Sequence, residues 1–345
     1  MKIFFAFMLI LNPLLLNAQY TFVPDDGFEQ LLIDYGHDDV LDDYVLTSNI
    51  NILTHLDISG ESISDLTGIE DFTALAVLDC TFTSITTLNL SNNLALTKLV
   101  CYSNQLTNLD ITKNIALTEL YLGGNLLTDI DLSQNTALTM LRCSNNHLTN
   151  LDLSQNLNLK VLWCEGNQLT NLNIQNNSAL EQITCYSNQL TSLDISQNPA
   201  IEFLQCNNNQ LNSLNLKNGN YTILTYLYTK NNPELTCIQV DSTEWFNNRW
   251  SSHIDTWTSF SQECNWASTT DSQLMSISVF PNPVKKTLNF SEKLSDISIY
   301  NMKGKKVLLK KEAFSINVAL LPSESYFLQA ETIDGKTINK KFVKN

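Results

Sequence analysis

The chain has 345 residues, 43% of them hydrophobic, and a net charge of −15, which allows an elongated body with a second small domain. The charge is unevenly spread. Between Gln19 and Asp271, seven Lys/Arg face twenty-nine Asp/Glu, whereas from Ser272 onward twelve Lys face six acids. So anionic a body argues against nucleic acid as a partner and favours cationic partners or divalent ions.

Residues 1–18 read as a secretory signal. Lys2 supplies the positive start, Phe4 to Leu16 the apolar stretch, and Leu16-Asn17-Ala18 a small-residue exit. That run is short for a spanning helix, and no other stretch would cross a membrane. Residues 19–52 read as an N-terminal helical cap. Phe28, Leu31, Leu32 and Tyr35 recur at helical spacing, and Asp26 with Glu29 forms a capping-box pattern. The acids Asp34, Asp38, Asp39, Asp42 and Asp43 allow a calcium-site reading, but their spacing favours a solvated acidic cap.

Residues 53–235 are repeats. Leu53 to Ala74 is irregular, one residue longer than the copies that follow, and the copy at Leu75 has Thr83 where later ones have Asn. From Leu96 the unit is regular. Leu96, Leu99, Cys101, Asn104, Leu106, Leu109, Ile111 and Asn114 are matched twenty-one residues on by Leu117, Leu120, Leu122, Asn125, Leu127, Ile130, Leu132 and Asn135. Further copies begin at Leu138, Leu159, Leu180 and Ile201. A fixed short period signifies a solenoid. Alternation around Leu99 and Cys101 predicts a short strand with one buried face, and Leu109-Asp110-Ile111 a second extended segment on the far side. Stacking buries each Leu or Ile for roughly 1.5–3 kcal/mol. The Asn columns at 104/125/146/167/188/209 and 93/114/135/156/177/198 are expected to bond backbone at the bends and their counterparts in adjacent coils.

After Leu216 the register slips, and Asn232-Pro233 is expected to break the last coil. Residues 236–267 read as a C-terminal cap, with Trp245, Phe246, Trp250, Trp257, Phe260 and Trp266 covering the open end. Residues 268–275 read as a polar linker. Residues 276–345 carry no Cys, are dense in Lys, and read as short strands, including a hairpin from Ile299-Tyr300 through Gly304 to Val307-Leu308.

Six of the eight Cys (Cys80, Cys101, Cys143, Cys164, Cys185 and Cys206) share one inward slot, which Leu122 fills in the remaining coil. A slot that accepts Leu wants a small apolar body, so a free, buried thiol ladder is expected rather than a metal array. Cys237 and Cys264 fall outside the column and are expected to pair. No nucleophile motif, phosphate loop or HExxH is present, His147 sits in a tolerant turn slot, and the chain reads as no enzyme, with no cofactor or metal.

Residues between core positions face outward on the concave side. Tyr121, Arg142 and Trp163 are consecutive in one column, flanked by Tyr102, Glu165 and Tyr186 in the next. Tyr, Trp and Arg carry much of the energy in interfaces, so these six are the candidate ligand-binding residues.

The LxxLxCxxNxL unit resembles leucine-rich repeats, and its Cys version looks like the internalin-like repeats with a cysteine ladder. That resemblance implies a right-handed, mostly β solenoid with a parallel concave sheet. The Pro281-Asn282-Pro283 stretch, Ile299-Tyr300-Asn301 before Gly304, and Lys340-Lys341 resemble the C-terminal sorting domain of the type IX secretion system, although Glu324 and Ser325 stand where a Gly usually precedes the aromatic at Tyr326. This implies a small all-β sandwich, export across an outer membrane, and either secretion or attachment to the cell surface. The reading is a surface or secreted protein that binds a protein or glycan through its concave face. The alternative is a structural spacer with no single ligand site.

Overall fold

The computed structural model describes residues 18–264, 279–280, 282–301, 305–331 and 337–345. The expected signal, the linker, Trp266, Pro281 and the Gly304 turn lie outside these residues. The chain divides into two compact units, Met1–Trp266 and Ala267–Asn345.

In the first unit nine three-residue strands, from His55–Asp57 to Tyr226–Tyr228, form one parallel sheet. Each step moves the chain by one repeat. Lys98–Val100 pairs with Glu119–Tyr121, which pairs with Met140–Arg142, all in register. The middle residue of each strand (Leu56, Leu78, Leu99, Leu120, Leu141, Leu162, Ile183, Leu204, Leu227) is buried. On the far limb, paired strands occur at Ser192–Asp194, Ser213–Asn215, Cys237–Gln239 and Ser259–Ser261. Leu109–Ile111, expected to be a second extended segment, is not part of a paired strand.

The turn after each concave strand is closed by the first Asn column. Asn146 Nδ2 donates to the Leu122 carbonyl one coil back (2.9 Å) and to its own coil's Cys143 carbonyl (3.2 Å), while its Oδ1 accepts from Leu127 N–H (3.0 Å). Asn125, Asn167, Asn188 and Asn209 repeat this pattern. These amides bond backbone groups rather than one another, because neighbouring coils expose carbonyls and N–H groups at the bend that have no sheet partner. The side-chain contact between successive positions is at Thr83, whose hydroxyl donates to Asn104 Oδ1. Asn232 does not break the coil. It is the next amide of the ladder, donating to Cys206 and Thr229 carbonyls and accepting from Leu211 N–H. An insertion of two residues had moved it out of the period. The residue before each ladder position has positive φ. Glycine (Gly124, Gly166), Asn (Asn145, Asn208, Asn231) or Ser (Ser103, Ser187) fills it, and Phe82 does so at φ 55°.

The second Asn column closes the opposite turn. Asn156 Nδ2 donates to Leu132 and Asn135 carbonyls of the preceding coil. Its Oδ1, like those of Asn93, Asn114, Asn135, Asn177 and Asn198, is buried without a hydrogen-bond partner.

The N-terminal cap contains the helix Asp26–Asp34, and Phe28 stacks on Phe72 of the first coils. Its N-cap is Asp25, not Asp26. Asp25 Oδ1 accepts from Gly27 and Phe28 N–H, and Oδ2 accepts from Ser64 N–H, Ser64 hydroxyl and Asp65 N–H. Glu29 is buried and accepts from Asp42 and Tyr44 N–H instead of closing a capping box. A short antiparallel pair, Tyr20–Phe22 with Tyr44–Leu46, flanks the helix.

At the other end, Cys237–Gln239 and Ser259–Ser261 continue the far-limb sheet, so the cap is in part a further coil. The helix Thr243–Trp250 lies between them, with Phe246 buried against Phe260 and Tyr221. Trp257, expected in the seal, is 52% exposed. Cys237 and Cys264 are disulfide-bonded, with Cα atoms 5.8 Å apart.

The second unit is an antiparallel β domain. Thr287–Asn301 pairs with Val279–Phe280, Lys306–Asn317 and Ser325–Glu331, which in turn pairs with Thr337–Val343. Tyr326 is fully buried, stacks on Phe342 and donates its hydroxyl to the Pro322 carbonyl.

Candidate ligand-binding face

The in-register parallel strands place Tyr121, Arg142 and Trp163 side by side on the concave sheet. The Arg142 guanidinium lies 3.7 Å from the Trp163 ring centre and 5.3 Å from that of Tyr121, so it is held between two aromatic faces. Tyr102 packs against Tyr121 with ring centres 5.8 Å apart. Its ring lies over Gly123, where an added Cβ would fall 2.9 Å from the ring edge. A side chain there would push Tyr102 off the sheet.

The other two candidates connect through charge. Thr184 donates its hydroxyl to Glu165 Oε2, which fixes the carboxylate beside Trp163's strand neighbour. Burial, then the Glu165 charge, raise the Tyr186 phenol; burial also raises Tyr102, against the lowering effect of nearby Arg142. Tyr102, Tyr121, Arg142 and Trp163 thus form one contact chain, and the charge of Glu165 acts on both Tyr186 and Tyr102.

Tyr121 is less available than its place in the sequence implies. It is 9% exposed, its hydroxyl donates to Glu119 Oε2 at 2.7 Å, and it lies 2.9 Å from Met140 Sδ. Burial and the Glu119 hydrogen bond push its pKa up to about 12. Lys98 sits 5.2 Å from the Tyr121 ring centre and 3.0 Å from Glu119. Tyr121 is therefore a support for the patch, and Trp163 and Tyr102 are its half-buried display.

Lys98, Glu119 and Met140 escaped the sequence reading, although they occupy a column of the same period on the same face, two positions before Val100, Tyr121 and Arg142. That column continues to Phe203 and Tyr226, whose rings stack 4.3 Å apart. Among the described residues, no group of three or more His, Cys, Asp and Glu is placed to hold a metal ion, and no helix is long and apolar enough to cross a membrane.

Residues 278–345 match the family described as the secretion system C-terminal sorting domain. A 70-residue stretch is 42% identical to internalin J of Listeria monocytogenes, covering 20% of this chain and 8% of that protein. The solved functional domain of internalin J, which includes a cysteine ladder, is 33% identical with a TM-score of 0.50, covering 66% of this chain and 58% of that one. Internalin C2 of the same species, 21% identical with a TM-score of 0.54, covers 65% of this chain and 98% of the other and shares the fold. This chain therefore spans a small part of internalin J and somewhat over half of its solved domain. Its repeats are similar to those of internalin-like leucine-rich repeat proteins with a cysteine ladder, and its residues 278–345 match a secretion sorting domain.

Proposed function

We propose that the protein is exported to the cell surface or released, and there binds a protein partner through the concave patch around Arg142 and Trp163. The observation that carries this reading is the Tyr121–Arg142–Trp163 stack. A guanidinium held between two rings has little side-chain entropy left to lose, and Tyr, Trp and Arg are the residue types on which binding energy concentrates. The anionic repeat body would attract a basic partner at long range. The matched sorting domain supports delivery outside the cell.

The test is an array of surface and secreted proteins, with glycans alongside, probed with the mature chain and with Trp163→Ala and Tyr102→Ala. Both residues are half-buried, so both variants are expected to keep the wild-type fold by circular dichroism. Saturable binding to a protein, weakened at least tenfold in Trp163→Ala, is the expected result. A chain that binds nothing saturably would instead be a spacer, and binding indifferent to both substitutions would move the site elsewhere.

A further inference from the structure

The buried ladder contains two different kinds of thiol. Leu122 splits it, leaving Cys80 and Cys101 as a pair and Cys143, Cys164, Cys185 and Cys206 as a run. Cys80 and Cys101 follow strands that pair in register, Asp79 against Val100, and Cys80 N–H donates to the Val100 carbonyl at 2.8 Å. Parallel neighbours stand about 4.8 Å apart, within the range of Cα separations of roughly 4.4–6.8 Å that a disulfide spans. Register alone would make the same true of the lower run. What separates the upper pair is the sulfur contact: Cys80 Sγ lies 2.8 Å from Cys101 Sγ. Even carbon atoms keep roughly 3.5–4.0 Å when not bonded. Among the described residues it is the one ladder pair in hydrogen-bonding contact.

We propose that Cys80 and Cys101 are oxidised to a disulfide that ties two successive coils at the N-terminal end of the ladder, while the four thiols beyond Leu122 stay reduced. The oxidant is a disulfide of the export compartment, on a protein or a small molecule. One cysteine thiolate attacks it to give a mixed disulfide and a released thiol; the other thiolate then displaces the second sulfur. Two protons and two electrons pass from the pair to the oxidant, which leaves as two thiols. Both cysteines are fully buried, and the mutual hydrogen bond and then burial hold the Cys80 thiol well above its ordinary range. Exchange needs an accessible thiolate. The bond therefore forms while the first coils are still closing, and once folded it is shielded from reductants.

The experiment is alkylation of the exported mature chain, denatured without reductant, followed by trypsin. The Cys237–Cys264 bridge leaves six cysteines, and the proposed bond leaves four to react. Trypsin cuts after Lys98 and Lys113, so the Leu99–Lys113 peptide should be absent until reductant releases it from the peptide that ends at Lys98. In Cys101→Val, a substitution of the kind Leu122 shows the slot accepts, the count should rise to five although a cysteine has been removed. Six reactive thiols, a free Leu99–Lys113 peptide with Cys101 alkylated, or linkage of Cys101 to any cysteine other than Cys80 overturns the proposal.

Discussion

The two turns of each coil are both closed by a buried asparagine, yet the two amides are used differently. At the turn after the concave strand, Asn146 places all three of its polar functions: two N–H bonds to carbonyls of two coils, and an oxygen that accepts from a backbone N–H. At the opposite turn, Asn156 donates twice to the preceding coil, and its oxygen has no partner. The difference teaches what each turn lacks. The concave-side bend leaves carbonyls and an N–H unmet, so it needs an acceptor and a donor on one side chain. The far bend has no unmet N–H; its carbonyls already accept one backbone N–H each, the asparagine NH₂ adds a second donor, and its oxygen is carried there as a cost of supplying that group.

That comparison predicts unequal damage. Asn146→Ala strands the Leu127 N–H and takes one of two amide donors from the Leu122 and Cys143 carbonyls, which keep Asn125 and Asn167, and is expected to cost about 2 kcal/mol. Asn156→Ala strands no N–H, leaves the Leu132 and Asn135 carbonyls their backbone donors and removes an orphaned oxygen, and should cost roughly half as much. Urea unfolding of the two variants under identical conditions measures the difference. Equal losses would mean that the unpartnered oxygen is not buried in the folded protein in solution.

Much of this was legible in the sequence. The Asn columns, the thiol slot and the aromatic column at Tyr121, Arg142 and Trp163 all declare themselves by period, because stacked coils force like positions into one environment. Reading failed where the count changed or where exposure depended on a neighbour's length. Asn232 looked like a breaker because two residues had been inserted before it. Tyr121 looked displayed, but Lys98, Glu119 and Met140 from an adjacent column close over it. Asp26 looked like a helix cap, whereas the preceding Asp25 also meets a loop thirty-nine residues away, a demand that no local pattern carries.

The left-handed residue before each concave-side ladder position carries a smaller cost of the same turn. Gly166 has φ 66°, and an added Cβ would lie against the Asn145 side chain, so Gly166→Ala should cost about 1–2 kcal/mol. Phe82 holds the corresponding conformation with a bulky side chain that is 68% exposed. Phe82→Gly is therefore expected to raise stability by up to about 1 kcal/mol, the relief of backbone strain being partly offset by the greater freedom of glycine in the unfolded chain. A melting temperature that falls in Phe82→Gly would show that the aromatic ring packs on something its neighbours in the sequence do not reveal.

Asp25 extends the comparison to the end of the solenoid, where a carboxylate does for the cap what an amide does between coils. One oxygen caps the helix; the other gathers Ser64 N–H, Ser64 hydroxyl and Asp65 N–H. Burial pulls its pKa upward, but the hydrogen bonds from Ser64, Phe28 and Asp65 together outweigh it, and the net shift is downward. A carboxylate whose folded pKa lies below its unfolded value of about 3.9 stabilises the fold above that value. The contribution is lost as pH falls through the folded pKa. Asp25→Asn keeps a cap acceptor for Gly27 and Phe28, but turns an NH₂ group toward three donors. It should lower stability by about 1 kcal/mol at neutral pH, with the gap from wild type narrowing as pH drops below about 4, where the unfolded chain takes up a proton that the folded carboxylate still resists, and narrowing further toward the folded pKa. Paired thermal melts of the two proteins from pH 7 to pH 3 measure that gap. A gap constant across the range would mean that Asp25 acts through its shape alone, and that the charge-assisted bonds to Ser64 and Asp65 contribute nothing to docking the cap.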